Sequence, residues 1–369
     1  MRLVFFRTLW LLLGATVAVA LLEAALRMLP VSMGIYRTDQ FERWPLQNSE
    51  AHVPYAYSLT WVMLNAHRGT TNNYGHVAPF DYKKGSHPIL VLGDSYIESL
   101  MNAHSDTLQG QLARKVGPSL PVYGLGASGL SASDYVAVSR MAKDEFSPIA
   151  AVLLMIDGDF TESLGPHLGY HFLVPDGEAL KPGYAPLRGE STPKRIRKLI
   201  GDISIYRYLQ VNLQFSPENV VKVFGQNSPA KEASVRPAEN IEGQRKVADW
   251  FLAELPASLG LPPECIVFLM DSDRYAIYKP ELASRPKDNP QVRQHFMERA
   301  KALGFKISDL DPVFRQAYAS NGAKFDHWPI DRHWNPVGHG LAADEAYRLL
   351  FMQRQEKQRS CLAEKNARN

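Results

Sequence analysis

Cysteine is nearly absent. The chain has two in 369 residues, Cys265 and Cys361. Cys265 falls in a run that reads as a buried strand and Cys361 in a polar tail, so they are poor disulfide partners. So few cysteines also exclude a fold stapled by a disulfide framework. Cys and His at zinc-type spacing are missing, and no metal site is expected. Net charge is scarce too. A balance of +3 over this length gives no case for nucleic-acid binding. No self-similarity recurs at a solenoid or propeller period. What the chain does have is core-forming material: 45% hydrophobic and 21% charged residues exclude disorder and fit a globular body, long enough to carry insertions.

One apolar run stands apart. Arg2 and Arg7 precede residues 8–22, which carry no charge; Glu23 ends the run and Arg27 follows a turn later. Basic residues before an apolar segment favour an inside N-terminus with the remainder outside. Extended to Leu29, the segment reaches the ~20 residues that a spanning helix needs. Ala18-Val-Ala20 offers a small-x-small cleavage site, the rival signal-peptide reading, but the apolar pattern continues past it and favours a retained anchor. Both readings export the globular part. Residues 30–86 are irregular and rich in aromatics, with a turn at Asn72-Asn73-Tyr74-Gly75. They read as an extended connector ending in a small packed flap.

From residue 87 the rhythm changes. Short apolar runs recur at residues 89–92, 121–125, 149–156, 265–270 and 304–310. Helix-compatible stretches lie between several of them, notably 136–143, 243–255 and 290–303. Buried strands alternating with helices predict an α/β fold, a three-layer α/β/α sandwich on a parallel, flavodoxin-like sheet. Residues 160–241 break the rhythm and read as an insertion lobe or cap. They hold turns at 175–177 and 181–183, a basic run at 194–198 and a helical stretch at 204–213.

The chemistry concentrates at two places. The first run ends at Gly93-Asp94-Ser95 and passes into a helix-compatible segment. A serine at the C-terminal edge of a parallel strand points into the crevice where open α/β sheets place their chemistry. Free N–H groups at the following helix start favour developing negative charge. Far along the chain lies Asp331-Arg-His333-Trp-Asn335-Pro336. Serine becomes a nucleophile when a neutral imidazole takes its proton, and a carboxylate fixes that imidazole's tautomer. Asp331 and His333, two apart in an extended segment, project to one side of the backbone. Asp326 is the rival acid. Asp94 supports the turn, and His339 packs or caps in the final helix.

Together the two blocks resemble the SGNH/GDSL hydrolase family. The Asp-x-His-Trp form is most similar to its membrane-anchored bacterial branch containing alginate O-acetylation proteins. The resemblance covers about residues 70–350. It implies Ser95, His333 and Asp331 as a catalytic triad, with oxyanion donors from Ser95 N–H, from Gly129 or, behind it, Gly126, and from an asparagine after the third strand. Met155-Ile-Asp-Gly158-Asp159 has Gly158 where that asparagine belongs. The loss of one donor can slow acyl transfer by ~10²–10³. The expected organisation is an anchor or signal segment (1–29), a connector and flap (30–86), a hydrolase-like domain (87–353, insertion about 160–241) and a polar tail (354–369). The implied activity is a serine esterase or O-acyltransferase working on O-acetyl groups of a carbohydrate or polysaccharide, at the outer face of a bacterial inner membrane. No cofactor is implied, and transfer would take its acyl group from a membrane acyltransferase partner. The alternative is a weak or inactive module with the same fold that binds or assembles within a polysaccharide-modification complex.

Overall fold

A computed structural model describes residues 2–35, 37–40, 46–177, 179–187, 201–215, 240–282 and 288–352. The basic run 194–198, the polar stretch 226–236 and the tail 354–369 lie outside them, as do Tyr36, Phe41 and Trp44 of the connector.

The apolar runs form one parallel sheet of five strands: β1 (Ile89–Gly93), β2 (Val122–Gly126), β3 (Ala150–Met155), β4 (Ile266–Met270) and β5 (Lys306–Asp309). Their spatial order is β2-β1-β3-β4-β5, and every neighbouring pair is parallel. Every residue of the first four strands is buried, which is why they read as continuous rather than alternating apolar runs. Successive side chains still go to opposite faces. Leu90, Leu92, Leu153 and Phe268 pack on one face with residues of α2 (Ala132–Phe146), α3 (Ile241–Leu259) and α4 (Pro290–Ala302). Ile89, Val91, Val152 and Leu269 pack on the other with α1 (Leu108–Val116), α5 (Leu310–Asn321) and α6 (Pro336–Tyr347). The expected three-layer α/β/α sandwich is therefore observed. Phe296 shows how tightly one layer closes, with its ring 5.0 Å from Phe268 and 5.1 Å from Phe160. Each such side chain contributes roughly 1.5–3 kcal/mol by leaving water. The chain steps from β1 to β2 on one side and then to β3 on the other. The sheet's topological switch thus lies at the carboxyl end of β1, beside Ser95.

Two local expectations change. Cys265 sits in a 3-10 turn (Pro263–Cys265) ahead of β4 and is disulfide-bonded, so the reading of the cysteines as poor partners fails; Cys361, the other cysteine, lies outside the described residues. The helix expected after Ser95 is a single turn, Ser95–Glu98, closed by Ser99 in the left-handed conformation. One turn aligns few peptide dipoles, so little macrodipole is available there.

The chain divides into two compact units. The sandwich unit holds Tyr36–Val53, Thr70–Leu187 and Arg236–Asn369; a second unit gathers Met1–Ile35, Pro54–Gly69 and Arg188–Val235. The connector and the insertion are thus each split. Within the sandwich unit, His171–Asp176 and Ala179–Tyr184 pair as an antiparallel hairpin. Within the second unit, the reason for the grouping is polar and specific. The Glu23 carboxylate, on the N-terminal helix Arg2–Met28, accepts from Ser204 N–H and Ile205 N–H, both at 2.9 Å. It caps a helix that starts 181 positions away. Asn212 accepts from Ser32 N–H at 3.1 Å and donates to the Ser58 hydroxyl at 2.9 Å, which joins the hairpin Pro54–Leu59/Leu64–Thr70 to the same body.

Candidate active site

Ser95 follows β1 directly. Asp94 caps the single turn by accepting from Tyr96 N–H at 3.0 Å. Asp331 and His333 lie on a short strand, Asp331–Trp334, paired antiparallel with Asp326–His327 just before α6. Extended backbone two residues apart does put both side chains on one side. His333 Nε2 is 2.8 Å from Ser95 Oγ, and His333 Nδ1 is 2.6 Å from Asp331 Oδ1, which also accepts from His333 N–H at 3.0 Å. The structure therefore brings Ser95, His333 and Asp331 into one hydrogen-bonded chain. With Nδ1–H donated to Asp331, neutral imidazole leaves Nε2 as the acceptor facing the serine hydroxyl. Burial opposes a charge on His333, but the hydrogen bond and charge of Asp331, with Asp94 behind, outweigh it and raise its pKa above the ordinary histidine value.

Asp94 has a larger part than turn support. Its carboxylate is buried, sits 3.2 Å from Ser95 Oγ and lies against Ser95 N–H. Burial pushes its pKa up to about 6, against the pull of Tyr96 N–H and His333. The rival acid, Asp326, is turned elsewhere. It faces Arg274 Nε at 3.7 Å, and burial pushes it up to about 6. His339 is buried between Leu108 N–H, which donates to its Nδ1 at 3.1 Å, and Ser99 Oγ at 3.1 Å, the packing role expected of it.

The segment carrying His333 is held by residues that sequence reading passed over. Tyr96 O–H donates to the Arg332 carbonyl at 2.9 Å, and Arg274 donates to the same carbonyl and to Tyr96 Oη, each at 2.8 Å. Arg274 also pairs with Asp271, which accepts from the fully buried Trp334 indole at 3.1 Å. The Tyr96 ring lies 4.8 Å from the His333 ring. Asp271-Ser-Asp-Arg274 at the end of β4 looked like an ordinary polar turn after a strand. Nothing in the sequence coupled it to a strand 57 or more positions on (331 − 274).

No family model matches the chain, and no curated protein matches it. The structures it is similar to include G-D-S-L proteins. One, from Desulfitobacterium hafniense, is assigned to the lipolytic G-D-S-L family (10% identity, 72% of this chain and 99% of that one, TM-score 0.36). Another, from Veillonella parvula, is a member of the same lipolytic family (10%, 72% and 99%, TM-score 0.34). A third is an α/β hydrolase from the metagenome of Lake Arreo (14%, 73% and 96%, TM-score 0.36). Likeness at this level leaves fold and site to be read from the chain's own residues.

The glycines expected as oxyanion donors are not brought together as Ser95, His333 and Asp331 are. Gly129 has φ +83, and a Cβ there would meet Tyr170 Oη at 2.6 Å, so both conformation and space demand glycine. Its loop is pinned from behind. Glu98, buried, accepts from Ser128 N–H at 3.1 Å, while Arg37 donates to Glu98 at 2.7 and 2.9 Å and to the Ser128 carbonyl at 2.5 Å. Gly126 is instead a packing position: it pairs with Gly93 in the ladder, and a Cβ there would lie 2.4 Å from Glu98 N. Gly158 supplies no side-chain donor, and its N–H donates to Asp288 at 3.0 Å. Beside these residues opens a cavity of about 500 Å³ whose walls include Tyr96, Arg332, Arg274, Asp271, Asp273 and Asp157. Ser95 and His333 do not line it, although their chain neighbours Tyr96 and Arg332 do.

Proposed function

We propose that the protein is a serine esterase or O-acyltransferase of the SGNH type. The observation that carries this reading is the unbroken chain Ser95 Oγ–His333–Asp331, at 2.8 and 2.6 Å, at the carboxyl edge of a parallel sheet. His333 takes the Ser95 proton as Oγ attacks the ester carbonyl. The tetrahedral intermediate collapses, the alcohol leaves with a proton returned by His333, and an acyl-serine remains. Water then completes hydrolysis, or a second hydroxyl completes transfer. Ser95 N–H and Gly129 N–H are the donors offered to the oxyanion.

The substrate we favour is an O-acetylated carbohydrate or polysaccharide, the chemistry of the alginate O-acetylation-like branch. An acyltransferase in the membrane would be the donor partner if transfer is the reaction. One helix, Val4–Met28, is long and apolar enough to cross a membrane or to serve as a signal sequence. We read it as a retained anchor, with the catalytic unit on the periplasmic side of a bacterial inner membrane. The unbroken helix through Met28 supports the anchor, and the disulfide at Cys265 supports an oxidising compartment. The second reading, a weak or inactive binding module, is favoured by Gly158 alone, which leaves the third oxyanion donor unfilled.

The test is acetyl release from p-nitrophenyl acetate by the full chain in detergent, beside Ser95→Ala, and then with an acetylated oligosaccharide plus an unacetylated acceptor. We expect release that depends on Ser95, and partition of the acetyl group between acceptor and water assigns transfer or hydrolysis. A folded protein no faster than Ser95→Ala on every ester would leave the binding module.

A further inference from the structure

We propose that the unit around the N-terminal helix is a collar seated on the outer surface of the lipid bilayer, so that the chain meets the membrane through a second, non-spanning element. The inference rests on the reading of Arg2–Met28 as a membrane anchor. Residues 4–22 rise about 28 Å at 1.5 Å each, close to the ~30 Å hydrocarbon thickness. Glu23 therefore falls at the outer boundary, and whatever is fastened to it stands at headgroup level. Fastened to it is the helix Ser204–Arg207, continued by the π turn Tyr208–Asn212, whose first N–H groups the Glu23 carboxylate accepts. Tyr208 O–H in turn donates to the Trp61 carbonyl at 2.9 Å, which ties the tip of the hairpin to the same helix.

This collar shows an apolar surface that no described residue covers. Tyr206, Leu209 and Leu213, at helical spacing, are exposed, as are Val211 and Phe215. At the hairpin tip Trp61 is 67% exposed, with Val62 and Leu64 beside it. Scattered single apolar residues on a surface need no explanation, but these concentrate in two short elements that Tyr208 ties together. Their composition is aromatic and aliphatic, and Trp and Tyr are the residues that gather in the interfacial belts of membrane proteins. Arg27 is paired with Glu23 at 2.7 Å, while Arg68, which donates to the Met28 carbonyl at 3.2 Å, brings charge suited to lipid phosphates to the end of the span. Continuity with the span is what selects lipid over a protein partner: the bilayer is the surface that a span ending at Glu23 necessarily brings to this height.

The full chain reconstituted in phosphatidylcholine bilayers carries its own reporters, Trp10 within the span and Trp61 at the hairpin tip. Emission is compared in plain bilayers and in bilayers brominated on the upper acyl carbons, for the native chain, Trp10→Phe and Trp61→Phe, with aqueous iodide as the opposing quencher. An interfacial segment lies ~5–10 Å into the headgroup and acyl boundary. The Trp61 component should therefore lose roughly half its intensity to brominated lipid and resist iodide. Quenching of Trp10 but not Trp61, with iodide reaching Trp61, overturns the collar and keeps the anchor. Trp61 shielded from both quenchers also overturns it, in favour of a protein occupant or a second copy. If neither tryptophan responds to brominated lipid, the anchor reading falls as well.

Discussion

His333 is the residue on which the proposed chemistry turns, because it must be neutral to accept the Ser95 proton. Two influences compete over its charge. Burial disfavours the imidazolium, while the Asp331 carboxylate at 2.6 Å and the nearby Asp94 favour it, and the carboxylates win. A raised pKa in the folded protein means that activity is lost on the acid side earlier than for a free histidine. Ester hydrolysis should therefore rise with pH through an inflection above 6.5, the ordinary histidine value. In Asp331→Asn the stabilising charge goes and burial remains, so the inflection moves down. The plateau should also fall by about 10³–10⁴-fold, because an amide no longer fixes the tautomer that leaves Nε2 as acceptor. The measurement is a pH profile of kcat/KM for p-nitrophenyl acetate with both proteins. An unmoved inflection in Asp331→Asn would assign the titration to another group, and Asp94, at about 6 and in contact with Ser95, is the one to vary next.

At the scale of elements, the strand Asp331–Trp334 is a short two-stranded edge that would not hold a catalytic geometry alone. The Arg332 carbonyl is its fixed point, held by Tyr96 from the turn after β1 and by Arg274 from the segment after β4. The serine's own neighbour thus holds the strand that carries His333. Tyr96→Phe deletes the O–H and keeps the ring beside His333. We expect kcat to fall about tenfold, within the ~10²-fold that a 1 Å misplacement can cost, while KM and the pH inflection stay in place. A change in KM alone would give Tyr96 a role in substrate binding instead. Arg274→Met should act on stability, because the Asp271 and Asp326 carboxylates would stay buried without their cation; the loss is about 3–5 kcal/mol in urea unfolding. These supports show where sequence reading stops. Ser95, His333 and Asp331 were legible because their spacing and their neighbours Gly93, Asp94 and Trp334 form compact blocks, and the strands were legible because full burial makes them continuous apolar runs. Tyr96, Arg274 and Arg37 were not, since each acts through a backbone carbonyl or a carboxylate distant in sequence, and neither leaves a periodic or motif signal.

For the whole molecule, the same limit explains the domain organisation. Composition marked residues 160–241 as foreign to the strand-helix rhythm, but part of that stretch is tied to the N-terminal helix and the 54–70 hairpin by Glu23 reaching Ser204 and Asn212 reaching Ser32 and Ser58, polar contacts that no sequence pattern announces. The cysteines make the complementary point: a strand-like context and a polar tail argued against pairing, yet Cys265 is disulfide-bonded. With two cysteines in the chain, that bond has a stoichiometric consequence. Protein isolated with thiols blocked, then denatured without reductant, should titrate no free thiol, and after reduction two per chain. Such bonds persist in oxidising compartments and are reduced in the cytosol. The same count therefore tests orientation: it should hold for the exported chain and fail, with both thiols titrating before reduction, for a chain whose N-terminal helix has been made non-inserting by charged residues in its middle. Free thiols in the exported chain would remove the support that the disulfide gives to an outward-facing catalytic unit. A non-reducing gel separates the two ways of reaching zero, since a bond within one chain leaves a monomer band and a bond between chains gives a dimer.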